Sequence, residues 1–343
     1  MTSTHHRTIH GAPARFPTGL QEVAPSVFAY LMPNGSWSES NAGLIVSGDE
    51  ALLVDTQFDR HLTLRLLQAV HARVPHAHVR TLVNTHADGD HTFGNSVVRA
   101  PEVVMTERAA RDAAHEPPGG IRMFQRLMGG ARGWPLPPAW ARTRAFVADM
   151  LQPFDFDGVS VPPPTRTFSG SVTLNVAGRR VEVVEAGRAH TASDAVVIVP
   201  DAGVVFAGDL LFVGVTPVMW AGPVEDWIRH LQWLLTLDAA VFVPGHGPVC
   251  GAEGVQALIG YFEFLAIQGG ARLRAGLSPY AAARDLLLSP TFRASPYAAW
   301  LNPERAYVNL LTMSRPGGVG ETPAGPLERV RAFHGMAQLA ALR

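Results

Sequence analysis

The stretch Asn84-Thr85-His86-Ala87-Asp88-Gly89-Asp90-His91 packs four side chains able to bind a metal, His86, Asp88, Asp90 and His91, into six positions. Three more candidates follow apolar runs: His190 after residues 181–186, Asp209 after 204–208 and His246 after 241–245. Neutral imidazoles and carboxylates suit zinc, iron or manganese. An ion held by them polarises a carbonyl and acidifies bound water. The chain has 14 histidines, so a lone one carries little; His61, His71, His76, His78, His115, His230 and His334 read as structural or solvated. The 86–91 cluster taken alone could be an acidic turn capping a helix. The joint pattern, four histidines and three aspartates at strand exits beside Gly or Thr, is what points to a metal site.

The elements that must position these residues read as follows. Short β segments are expected at 27–31, 41–46 and 51–55, the last two as a hairpin around 47–50. Leu62, Leu66, Leu67 and Val70 recur at helical spacing. A strand at 79–85 runs straight into the polar cluster. This order argues for an α/β protein. Strands resume at 172–176, 180–185, 195–199, 204–207 and 240–243, with a helix at 224–237. Residues 106–164 differ in composition and read as a helical insertion, with helices at 107–115 and 121–128. After 255 the chain reads as helical, with Ser278 and Asn302 each placed before a proline as a helix start. The expected division is a loose arm at 1–22, a domain at 23–254 carrying the insertion, and a helical extension at 255–343.

Composition excludes several classes. The net charge of -1 gives no electrostatic reason for a nucleic-acid or anionic-membrane partner. All 28 basic residues are arginine, which removes Schiff-base lysine and P-loop lysine chemistry. Cys250 is the single cysteine, so an internal disulfide, a Cys-rich zinc site and an iron–sulfur cluster are excluded. It reads as a small apolar residue rather than a nucleophile. No apolar core of a signal peptide is visible in residues 1–16, and the apolar run 204–224 is broken by Asp209 and Pro217. A cytoplasmic protein is expected.

The ordered set His86-x-Asp88-x-Asp90-His91, His190, Asp209, His246 resembles the metallo-β-lactamase superfamily, over roughly residues 23–254. The resemblance implies an αββα sandwich, here with a helical insertion and a helical C-terminal extension. It also implies two divalent metal ions, zinc first. His86, position 88 and His190 would form one site; Asp90, His91 and His246 would form the other, with Asp209 bridging. Asp55 matches a supporting strand-end aspartate. The family's motif has histidine where this chain has Asp88. Three outcomes are open: Asp88 ligates in place of imidazole, it is too short and leaves its site weak or empty, or only one metal still works. If it ligates, three carboxylates and a bridging hydroxide neutralise two divalent ions. The centre is then a weaker Lewis acid and tolerates Mn or Fe.

The resemblance implies a metal-dependent hydrolase in which a metal-bound hydroxide attacks a thioester, ester, lactone or amide carbonyl. Asp90 would be catalytic, orienting the nucleophile or shuttling its proton. The substrate would be a small-molecule or carrier-bound carbonyl compound. Trp37, Phe93, Phe212 and Trp220 are candidate substrate contacts, with Met219 and the insertion's Met123, Phe124, Met128, Trp134 and Trp140 as further pocket residues. Ser40-Asn-Ala-Gly-Leu44, Thr92-Phe-Gly-Asn95 and Trp220-Ala-Gly-Pro-Val-Glu-Asp-Trp227 resemble the branch holding aromatic polyketide cyclases, which implies aldol ring closure or cyclase-thioesterase chemistry as an alternative. A carboxylate at position 88 is similar to diiron, flavin-linked members, the basis of an oxygenase or oxidoreductase alternative. The chain after Gly254 reads as helices without a phosphate-cradling loop. A non-catalytic binding protein with a degraded site is the alternative from a different class.

Overall fold

A computed structural model describes residues 7–33, 37–115, 117–130, 136–315 and 326–342. Seven strands, β1 (Gly19–Ala24), β2 (Val27–Leu31), β3 (Ala42–Ser47), β4 (Glu50–Val54), β5 (His78–Val83), β6 (Glu102–Thr106) and β7 (Arg166–Phe168), pair in chain order as one sheet. The other five, β8 (Ser171–Val176), β9 (Arg179–Gly187), β10 (Asp194–Val199), β11 (Val204–Phe212) and β12 (Val241–His246), form a second sheet in the order β12-β11-β10-β9-β8. The β3–β4 turn is tight, because Ser47 pairs directly with Glu50.

Side-chain alternation decides the layering. Along β2, Val27, Ala29 and Leu31 point between the sheets while Phe28 and Tyr30 point outward. In β4, Leu52 and Val54 face inward and Ala51 and Leu53 outward. Both faces are apolar, so each sheet must be covered twice. The inner layer joins these residues to Val181, Val183, Ala195, Val197, Phe206 and Val243 of the second sheet. Helix α1 (Arg60–Arg73), capped by Asp59, covers the outer face of the first sheet. The short helices α2 (Gly89–Thr92) and α3 (Asn95–Val98) follow β5. The insertion supplies α4 (Glu107–His115), α5 (Pro118–Gly130) and α6 (Pro138–Leu151). Helices α7 (Val224–Leu234), α8 (Ala252–Arg274) and α9 (Pro279–Leu288) cover the outer face of the second sheet. Then come α10 (Pro290–Arg293), α11 (Ala306–Met313) and α12 (Pro326–Ala340), the last packing on α6. The architecture is an αββα sandwich with a helical extension.

Four sequence expectations are corrected. The loose arm does not reach residue 22: Gly19–Ala24 is an edge strand paired with β2, its polar pattern hiding the pairing. Helix α6 was not foreseen across residues 138–151, although Thr143, Val147, Met150 and Leu151 are buried along one side. Asn302 does not cap a helix; it sits at φ 54° before a 3-10 turn, while Ser278 does cap α9 by accepting from the Ala281 N–H. Asp209 lies inside β11 rather than beyond it. Among the described residues, no helix is long and apolar enough to cross a membrane.

Candidate metal centre

The candidate ligands converge at one end of the sandwich. His86 follows β5, Asp88 stands immediately before α2, and Asp90 and His91 lie in α2. His190 follows β9, and His246 is the last residue of β12. Asp209 is brought in by irregular β11–β12 pairing around Gly208, whose φ is 50°. A side chain at Gly245 would collide with the Asp209 carboxylate, so the neighbouring strand has to be bare there. The Ala195 N–H donates to the Thr85 carbonyl and stitches the sheets together beside the cluster. Asn41 binds the Pro244 and Gly247 carbonyls and steadies the turn that carries His246.

All four imidazoles are held by the same nitrogen. His190 Nδ1 donates to the Val218 carbonyl (2.6 Å) and His246 Nδ1 to the Glu39 carbonyl (3.1 Å). His91 Nδ1 donates to the Asp55 carboxylate (2.9 Å). Thr85 gives its hydroxyl proton to Asp55, so at 2.9 Å it accepts from His86 Nδ1. Carbonyls and carboxylates accept only, which fixes the proton on Nδ1 when the rings are neutral and turns every Nε2 lone pair toward the cluster. Asp55 itself adopts φ 61°, a conformation aspartate tolerates better than most residues.

The converging atoms group in threes within 4.8 Å: His86, Asp88 and His190; His86, His91 and Asp209; Asp90, His91 and His246. Asp88 Oδ2 lies 3.1 Å from His190 Nε2, so the short carboxylate does reach the cluster. Asp209 Oδ2 is 3.3 Å from His190 and 3.4 Å from His246, a central position. Three buried atoms, His86 Nε2, His91 Nε2 and Asp209 Oδ1, have no hydrogen-bond partner. Two of these, His91 Nε2 and Asp209 Oδ1, stand 3.1 Å apart. Buried polar atoms are rarely left so, and a cation between them satisfies all three. The residues present therefore fit a metal.

Electrostatics agree. Burial alone would raise Asp209, but His246, His91 and His190 hold it well below the usual carboxylate range. Burial also opposes ionisation of Asp88, and the His190 hydrogen bond together with the charges of His190, His86 and Arg329 outweighs it. Burial would lower His190 and His246, yet Asp209 and its neighbours push them up to about 10 and about 8. His86 goes the other way, lowered by burial and by His91. The cluster gathers positive charge, as protons or as metal.

The proposed substrate contacts separate. Phe93 is buried against Phe58 and Phe156, and Phe212 lies stacked on His246 (5.2 Å) inside the core. Both are corrected from pocket wall to packing: apolar rings beside the ligands are drawn under them rather than over them. Met219 is likewise buried, whereas Met123 and Trp140 point to solvent. Trp134 lies outside the described residues. Trp37 and Trp220 are half-buried, next to Arg305 and Arg329 respectively. Several supporting residues had no sequence signal. Asp194 accepts from the Thr191 N–H and hydroxyl and shapes the His190 turn. Asn309 accepts from the Met219 N–H (2.8 Å) and donates to the Pro217 carbonyl (3.1 Å), clamping both neighbours of Val218.

With fold and ligand geometry in agreement, the sequence itself matches the family described as the metallo-beta-lactamase superfamily over residues 35–246. The chain belongs to that superfamily. It is similar in structure to a metallo-beta-lactamase from Pontibacter korlensis: TM-score 0.52, 19% identity, covering 71% of this chain and 98% of that one. The mono-zinc form of the FIM-1 metallo-beta-lactamase from Pseudomonas aeruginosa gives TM-score 0.52, 18% identity and coverage of 74% and 99%. These likenesses define the fold. In sequence the chain is 24% identical over 211 residues to the 2,4-dinitroanisole O-demethylase subunit alpha of Nocardioides sp. (strain JS1661). The match covers 59% of this chain and 51% of that protein, so it spans about half the length of the curated relative.

Proposed function

We propose that this protein is a metal-dependent hydrolase acting on a carbonyl compound. The observation that carries the reading is the shared orientation of four imidazoles, each held at Nδ1 so that Nε2 meets three carboxylates. His86, Asp88 and His190 would hold one divalent ion, and Asp90, His91 and His246 the other, with Asp209 between them. The crystallised relative in mono-zinc form supports zinc as the first candidate, and the carboxylate of Asp88 keeps manganese or iron in play. Bound ions would supply Lewis acidity and acidify water.

The chain's own groups do the rest. Asp90 keeps partial access to solvent, its side chain 14% exposed. Burial would raise it, but His91 and the His246 hydrogen bond keep it ionised. Its oxygens are thus able to orient an attacking water and take a proton at Oδ2. Asp55 and Thr85 keep His91 and His86 in register throughout.

The test is elemental analysis of untagged wild type and Asp88→Ala in parallel, followed by a thioester, ester and lactone panel. Two metal equivalents falling to about one in the variant, with metal-dependent turnover, is the expected result. Protein that holds no metal even after supplementation overturns the reading. The O-demethylase relative favours a second reading, cleavage of an activated aryl methyl ether; release of phenolate from 2,4-dinitroanisole by the loaded protein would select it.

A further inference from the structure

Arg305 stands just before α11, in the extension outside the residues matched by the family. It is 3% exposed. Its Nη1 donates to the Thr216 carbonyl (3.1 Å), and its guanidinium carbon lies 4.0 Å from the centre of the Trp37 ring system. Its Nε has no hydrogen-bond partner among the described residues. It enters no ion pair within 4 Å among the described residues. Burial pushes its pKa down to about 10, while Glu304, Asp209 and Asp90 act against that loss, so it stays charged at neutral pH.

Glu304, Asp209 and Asp90 offset this charge from a distance, but none of them pairs with it directly among the described residues. Loaded with two divalent ions and a bridging hydroxide, the centre completed by Asp88, Asp90 and Asp209 would be neutral, and Asp209 and Asp90 would no longer offset Arg305. Arg329, over Trp220 at 5.7 Å, adds positive potential close enough for Asp88 to feel it. A buried charge without a direct partner is costly unless an anion joins it. A guanidinium stacked on an indole leaves its edges for in-plane recognition, and the Nε edge here is the one without a partner. Trp37 stands two residues before Glu39, whose carbonyl holds His246, so the stack belongs to the rim of the centre.

We infer that Arg305, stacked on Trp37, binds an anionic oxygen group of the substrate, a carboxylate or a phosphate, while the carbonyl to be cleaved lies at the metal centre. The inference rests on the metal-hydrolase reading and narrows its substrates to acidic molecules. Sequence pattern could not have located it, because Arg305 and Thr216 are 89 residues apart.

The experiment uses full-length, metal-loaded protein and calorimetric titration with propionate, succinate, succinamate and 3-phosphonopropionate. One acid group can meet the metals in each, and only succinate and the phosphonate carry a second. Either dianion binding about 10- to 100-fold tighter than propionate and succinamate is expected. The tighter of the two tells carboxylate from phosphate. Arg305→Gln should erase that gap, and Arg305→Lys should restore part of it. No gap in wild type, or an unchanged gap in folded Arg305→Gln, overturns the inference. If Arg305→Gln does not fold, the wild-type ladder and Trp37→Leu decide, and a gap that survives loss of the stacking partner counts against it. Metal content is measured first: failure to load defeats the hydrolase reading, whereas loaded protein without a dianion preference defeats only this one.

Discussion

The sandwich and the helices behind it touch the metal centre in opposite ways. Every candidate ligand comes from the sandwich, within or just beyond its strands. Among the described residues the helical extension supplies no member of the ligand groups, yet it reaches the ligands' supports. Asn309 and Thr312 of α11 bind Pro217, Met219 and the turn whose Val218 carbonyl orients His190. Arg305 binds Thr216 in the same turn. The sandwich therefore carries the candidate ligands, and the extension braces the turn whose carbonyl orients one histidine.

The comparison can be broken first at its middle. Asp209→Ala removes the carboxylate that faces His91, His190 and His246, and metal affinity should fall beyond the roughly 100-fold that loss of a supporting hydrogen bond costs. Retention of both ions by elemental analysis would break the ligand assignment. Asp55→Asn keeps the shape but exchanges an acceptor for a donor opposite His91 and Thr85. An affinity loss of about 10- to 100-fold is expected by metal titration. Asn309→Leu tests the extension alone. It should cost about 1–3 kcal/mol in denaturant unfolding and weaken one of the two ions by about tenfold. Unchanged cobalt spectra and affinity in folded Asn309→Leu would reduce the extension to packing.

Acidity sharpens the same contrast with a smaller effect. His246, raised from 6.5 to about 8, must give up its proton before it can ligate. Metal affinity should rise with pH through about 8 and on toward about 10, where His190 gives up its own proton, with proton release on loading detectable in weak buffer. The stability of chelated protein should run the other way. The contribution of His246 is full below its unfolded value of 6.5 and is lost as pH rises through about 8. The smallest effect is expected at Cys250, whose thiol burial raises to about 12, with Glu253 adding to it. Alkylation at pH 8 should be slow, and Cys250→Ala should leave metal content unchanged.

Much of the site was legible because its signals are local. His86, Asp88, Asp90 and His91 lie within one turn of chain, and the remaining ligands follow apolar runs. Strands β2 to β4 were legible as short apolar runs, whereas the sandwich itself followed from the family resemblance. What stayed hidden depends on distance or on backbone. The partners of His190 and His246 are carbonyl oxygens, which every residue has, so no side-chain pattern marks Val218 or Glu39. Asn309 meets Met219 across 90 positions. Phe93 and Phe212 misled because an aromatic ring beside a ligand looks the same in sequence whether it lines a cavity or supports the floor. The polar edge strand β1 and the bulged stretch around Asp209 depart from the regular period, and periodicity misread both.

The ligand groups draw on both halves of the sandwich, with His86, Asp88, Asp90 and His91 beside the first sheet and His190, Asp209 and His246 beside the second. An ion bound across them is a crosslink between segments far apart in the chain, closing loops that an unfolded polymer would leave open. It favours the folded state by mass action. Chelation would then remove a fastener along with a cofactor, and the two sheets, cooperative when loaded, would come apart more readily at the end where the centre sits.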